Sequence, residues 1–171
     1  GKDRRLAGCW RGITLLPNLY KLYERVWLRV IMEYMPRFHR GIYGFQPSRL
    51  SEEISQGIRV LFAKAYEWGL PLVCASADIV KAFDKMHPLA VLVALRQHGV
   101  PACTLHAWSR IRRAQRNVVR MGGTESNAVE YETGLPQGGP ATPQLWNVVV
   151  SRALKWCERN WGVAVHWMET V

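Results

Sequence analysis

Acidic residues are scarce in this 171-residue chain, 13 Asp and Glu against 23 Lys and Arg, which leaves a net charge of +10. That balance fits a polyanionic partner and equally fits a basic protein that is merely soluble, so charge alone does not choose. Cysteine is sparse as well, at positions 9, 74, 103 and 157, with no paired spacing. A disulfide framework and a zinc knuckle are thereby set aside, and a reduced, intracellular protein is expected. His98, Cys103 and His106 lie close in sequence but match no standard zinc spacing, so ordinary packing is the reading there. No apolar run approaches the roughly 20 residues that span a bilayer, and no signal peptide is visible, so no membrane partner is expected. Internal repeats, low-complexity tracts and linkers are missing too. Neighbouring aspartates occur nowhere, a gap whose meaning depends on the motifs below.

What the chain does have is a mixture of helix pairs and scattered strands. Apolar spacing predicts a helix over residues 18–35, with Leu19, Leu22, Tyr23, Val26, Val30 and Tyr34 on the apolar side, Arg and Lys outward, and Pro36 as its stop. A second helix runs from about Ser51 to Gly69, with Glu52 and Glu53 at its positive end. Residues 72–77 read as a short buried strand. Pro88 suits the first turn of a third helix that Gly99 ends, and Pro101 separates a fourth. Residues 117–121 and 128–132 flank a Gly-rich turn and read as a hairpin. Pro143 opens a long helix closed by Gly162, and residues 163–167 read as the start of another strand. This is no alternating βαβ series, and an α+β architecture follows. The length corresponds to about one domain.

Two segments carry the chemistry. In Asp78-Ile79-Val80-Lys81-Ala82-Phe83-Asp84 an acidic residue leaves an apolar run and a large aromatic follows five places on. A carboxylate at a strand tip is rigidly placed to hold Mg²⁺, a hard cation that takes one or two carboxylates plus phosphate oxygens. Strand-end capping is the bland alternative for Asp78, and a helix cap or salt bridge is the favoured role for Asp84. The other segment is Gly134-Leu135-Pro136-Gln137-Gly138-Gly139-Pro140-Ala141-Thr142-Pro143. Its glycines allow close backbone approach and Gln137 offers both donor and acceptor, although a plain turn before a helix looks the same when taken alone. Arg110, Arg112, Arg113, Arg116 and Arg120 form the densest basic run. They suit either a groove tracking a nucleic-acid backbone or a solvated helix face.

Together the two segments resemble motifs A and B of reverse transcriptases. The resemblance extends to Trp10-Arg11-Gly12-Ile13-Thr14-Leu15-Leu16 with Tyr20-Lys21-Leu22-Tyr23-Glu24-Arg25, and to Gly44-Phe45-Gln46-Pro47-Ser48-Arg49, which are similar to blocks of non-LTR (LINE-type) retrotransposon reverse transcriptases. Gly12 departs from the usual Pro, Ile42 from a common Gln and Thr142 from Ser. What the resemblance implies is a right-hand polymerase fold, with residues 1–70 as a fingers portion and 71–171 as an incomplete palm. That palm holds motif A (78–84), the hairpin (117–132) and motif B (134–143).

The implied activity is RNA-directed DNA polymerisation by two-metal phosphoryl transfer, with Mg²⁺ as cofactor and an RNA template, a DNA primer and deoxynucleoside triphosphates as partners. By similarity Asp78 and the Ile79 carbonyl hold metal, Arg11 contacts the triphosphate, Gln137 and Gly138 contact the nucleotide, and Phe83 is a steric gate against ribose or simply core. The family's third block, an aromatic-x-Asp-Asp turn, is absent, or survives only as a degraded copy at Trp167-Met168-Glu169 with Glu169 as a metal ligand. The isolated chain is therefore expected to be inactive. Rival readings are a non-catalytic nucleic-acid-binding remnant and a group II intron-type enzyme with a maturase role. A nuclear location is compatible with a retroelement protein and cannot be read from these residues.

Overall fold

The computed structural model describes residues 13–35, 37–74, 76–130 and 132–161. They form two compact units, the first within Gly1–Pro36 and Lys81–Trp146, the second within Arg37–Val80 and Asn147–Val171. Helices dominate both, and the paired strands among the described residues are one small hairpin.

In the first unit, α1 (Asn18–Met32) buries Glu24, Trp27 and Ile31. This turns the buried face partway round the helix from the one expected from the sequence: Leu19, Leu22 and Val26 are 80%, 59% and 58% exposed. The reason lies in Trp27, the indole on the adjoining face. It stacks on Trp108 of α5 (Ala102–Ala114) with ring centroids 5.6 Å apart, and its N–H donates to the Thr104 carbonyl at 3.0 Å. One indole buries roughly 150–250 Å² and also needs a partner for its N–H, and only this face supplies both.

A single turn, α3 (Ala82–Lys85), follows Lys81, which sits in the left-handed region at φ +56°. α4 (Pro88–Gln97) has Pro88 in its first turn, and the His87 Nδ1 accepts from the Leu89 N–H at 3.1 Å. Val91, Ala94 and Leu95 form its buried face, and Gly99 turns the chain at φ +81°. The hairpin pairs β1 (Arg120–Met121) with β2 (Thr124–Glu125) across Gly122 and Gly123, both at positive φ, as a tight two-residue turn requires. The pairing is shorter than expected, and of the predicted second strand at 128–132 the described residues show only a bridge between Asn117 and Val129.

The second unit contains α2 (Ser51–Glu67), with Glu52 and Glu53 in its first turn and Gly69 just beyond it at φ +63°. α6 (Thr142–Trp161) supplies its first turn to the first unit and the rest to the second. Within the second unit the Asn147 amide donates to the Gly44 carbonyl at 2.8 Å, and the Ser151 hydroxyl oxygen accepts from the His39 N–H at 2.8 Å. His39 Nε2 lies 2.9 Å from Glu158. The expected buried strand at 72–77 does not form among the described residues: the segment is irregular and solvent-facing, with Val73 91% exposed. Among the described residues no strand pairs with its backbone groups, and an extended segment needs a neighbouring ladder to register as a strand. The start of the last predicted strand, at 163–167, and the Gly162 stop lie outside the described residues.

Candidate nucleotide and metal site

The Gln137 loop is a built structure. Pro136 to Gly139 makes a tight turn, closed by the Gly139 N–H on the Pro136 carbonyl at 3.1 Å, with Gly138 at φ +112° in the third position. A positive φ there is what a type II turn demands, and it puts Gln137 at the turn's tip. The Thr142 hydroxyl donates to the same Pro136 carbonyl at 2.9 Å, fastening the turn to the start of α6.

This loop is stitched to α3. The Leu135 N–H donates to the Phe83 carbonyl at 2.8 Å and the Gly134 N–H to the Met86 carbonyl at 2.9 Å. Gly134 is at φ +88°, and a Cβ there would meet the Asp84 carbonyl oxygen at 2.8 Å. Two main chains therefore touch where only glycine fits. The Gln137 amide donates to Asp84 Oδ1 at 2.8 Å, and the Gln137 carbonyl accepts from the Thr14 N–H at 2.9 Å. Motif A's end, motif B's tip and the strip after Gly12 thus meet in one unit.

Phe83 is half-buried, its ring edge-on to Trp146 at 5.6 Å between centroids. Asp84, set aside as a cap or salt bridge in the sequence, instead accepts from Gln137. Its carboxylate polarises that amide and fixes which end of it faces the protein.

Behind the loop lies a buried charge that the sequence reading left unassigned. Glu24 is 2% exposed. The Tyr20 hydroxyl and the Ala141 N–H both donate toward its carboxylate, while Oε2 has no hydrogen-bond partner among the described residues. Burial pushes the carboxyl above its ordinary value of 4.5, against the opposing pull of those hydrogen bonds and of the Arg112 charge. Burial, with help from Glu24, likewise raises the Tyr20 and Tyr23 phenols. A Cβ on Gly139 would meet Glu24 Oε2 at 2.8 Å, so the carboxylate lies directly against the loop backbone. A legible signal existed: Tyr20, Glu24, Trp27 and Ile31 share one helical face, and a carboxylate among aromatics is not a solvated one.

The arginine run divides. Arg112 is buried, 8% exposed, and donates to the Gly134 carbonyl and, at 3.0 Å, to Gln115 Oε1. Its guanidinium is thus interior and committed to a backbone carbonyl, unlike the exposed members of the run. Arg116 pairs with Glu130 at 3.0 Å and Arg120 with Glu125 at 2.6 Å. Arg110 and Arg113 are exposed, and among the described residues no ion pair engages them.

Asp78 belongs to the second unit. It is exposed on the irregular segment, and Ile79 beside it is 56% exposed. Arg11 and Glu169 lie outside the described residues. Among the described residues no three His, Cys, Asp or Glu side chains converge as a metal-binding group. The donors present, the Asp78 carboxylate and the Ile79 carbonyl, are hard oxygens suited to part of one divalent ion's shell, and by themselves they do not make a two-metal centre. No helix among the described residues is long and apolar enough to cross a membrane.

Comparison with known proteins agrees with the motif reading. The family model described as "Reverse transcriptase (RNA-dependent DNA polymerase)" matches residues 2–168. The chain is 27% identical over 157 residues to the "Putative 115 kDa protein in type-1 retrotransposable element R1DM" of Drosophila melanogaster, a match covering 90% of this chain and 15% of that protein. It is 37% identical over 76 residues to the "Retrovirus-related Pol polyprotein from type-1 retrotransposable element R2" of Popillia japonica, covering 44% of this chain and 12% of that one. The chain therefore spans less than a sixth of the length of these curated relatives.

Proposed function

The chain belongs to the reverse transcriptase (RNA-dependent DNA polymerase) family, with relatives of the non-LTR kind, and from that premise we propose that it is the nucleotide-selecting segment of a retrotransposon polymerase. The observation that carries this reading is the joint between α3 and the Gln137 loop, where the amide of Gln137 is held by Asp84. A side chain fixed in this way is pre-organised, so contact with a nucleotide costs little further ordering.

In this reading residues 1–70 are fingers and 71–171 part of a palm. Arg11 meets the triphosphate, Gln137 and Gly138 border the nucleotide, and Phe83, braced by Trp146, limits space beside the sugar. Members of this family use divalent metal ions. Asp78 and the Ile79 carbonyl would hold Mg²⁺, which when bound stabilises charge on the oxygens of an in-line displacement at phosphorus. RNA template, DNA primer and deoxynucleoside triphosphates are the proposed partners, and Arg110 and Arg113 the best-placed phosphate contacts. Without a neighbouring-aspartate block, the 171-residue chain alone binds rather than polymerises.

Two substitutions test the assignment in a longer chain that carries such a block. Asp78→Asn keeps size and removes charge, so kcat is expected to fall by about two orders of magnitude or more, with template binding little changed. Phe83→Val opens space and is expected to raise ribonucleotide use relative to deoxyribonucleotide use, read as a ratio of kcat/KM values. Near-normal turnover in the first, or an unmoved sugar preference in a folded, active second, sinks the corresponding role.

A further inference from the structure

We propose that Glu24 and Arg112 are positioning residues that clamp the Gln137 loop at its two ends. Arg112 holds the entrance, donating to the Gly134 carbonyl three residues before Gln137. Glu24 holds the exit, accepting from the Ala141 N–H four residues after it and lying against the Gly139 backbone. The two side chains come from α5 and α1, helices locked together by the Trp27–Trp108 stack. A loop of glycines and prolines has little packing of its own. Its tip can keep one conformation only if its ends are fixed from outside.

The chemistry of each end matches its group. The last residue before α6 presents an N–H that no helical carbonyl reaches, at the positive end of the helix dipole, and a carboxyl oxygen satisfies it. The opening of the loop presents a carbonyl, and a guanidinium can serve it while a second N–H reaches Gln115. Gly139 suits the same arrangement, since a Cβ there would meet Glu24 Oε2 at 2.8 Å and Thr142 Oγ1 at 2.9 Å and force one of those side chains to move. Among the described residues, the titratable and charged groups facing Glu24 are Tyr20 and Tyr23 from its own helix and Arg112 from α5.

The clamp stands on geometry, and its consequence for nucleotide selection rests on the role proposed for Gln137. Hydrogen exchange on the 171-residue chain tests the clamp. Glu24→Ala is expected to raise exchange roughly tenfold at the non-proline amides of 134–142, on the scale of one lost buried hydrogen bond, while leaving α4 and the body of α5 protected. Glu24→Gln, which keeps the shape and an acceptor, is expected to restore most of that protection. Arg112→Lys, which loses the fork, is expected to loosen the Gly134 and Leu135 amides. Unchanged loop exchange in both Glu24→Ala and Arg112→Lys overturns the clamp, and so does equal loosening of loop, α4 and α5. Should Glu24→Ala not fold, the Arg112→Lys pattern decides alone.

In a longer, active polymerase, Glu24→Ala and Gln137→Ala are expected to raise the deoxynucleotide KM by similar factors, with the double variant no worse than either. Additive losses overturn the positioning role. If Gln137→Ala leaves incorporation unchanged while Glu24→Ala loosens the loop, the nucleotide role of Gln137 falls and the clamp remains.

Discussion

A single carboxyl shows what a residue can and cannot announce. Glu24 sits in a helix whose charged residues read as a solvated face, and nothing in its immediate neighbours reveals that Gly139 and Ala141 come to rest on it. Its pKa is raised by burial above the ordinary 4.5. A group whose folded value exceeds its unfolded value contributes stability below the unfolded value and loses it as pH climbs through the folded one. Glu24→Gln removes that dependence. Urea unfolding from about pH 4 to pH 8 is therefore expected to show the variant gaining on the unsubstituted chain as pH rises, and a constant difference would place the ionised form comfortably in the fold. Asp84 and Gln137 each stood out in the sequence as residues of their motifs, but their pairing did not, because it joins positions 53 apart.

Elements with local instructions were the easiest to read. Proline in the first turn of α4, acids in the first turn of α2 and glycines just beyond both fix ends by backbone chemistry alone. Predicting which face a helix buries is harder, since it depends on partners elsewhere. α1 carries two usable faces: an aliphatic stripe, and a narrower one with Trp27 that wins through Trp108. Replacing Leu22 and Val26 with Gln is accordingly expected to change unfolding free energy by roughly 1 kcal/mol or less in total, as surface changes do. Trp27→Ala, by contrast, is expected to cost about 3–5 kcal/mol. Chemical denaturation midpoints with unchanged slopes would report both, and a large loss from the Leu22 and Val26 pair would mean that the stripe is the true core face. The expected strand at 72–77 is not seen among the described residues for a related reason: apolar composition is local, whereas strand pairing depends on a neighbour.

For the whole molecule, net charge said that a polyanion would suit it but not where it would dock. With Arg112 inside and Arg116 and Arg120 engaged by glutamates, Arg110 and Arg113 carry most of the free positive charge of the run. Replacing both with Gln is expected to lower the slope of log affinity against log salt by about 1.4–1.8, the release of roughly two counterions. Changing Arg116 and Arg120 is expected to move it less, and an equal effect from all four would show that their ion pairs open on binding. The interleaving of the two units carries a consequence for synthesis. The first unit begins with α1, pauses for residues 37–80, and is complete only at Trp146. At about 5–20 residues per second, a nascent α1 waits on the order of ten seconds for Trp108 and the loop that covers Glu24. During that wait both of its faces are bare, so the ribosome-bound intermediate is expected to expose more apolar surface on α1 than the finished unit does.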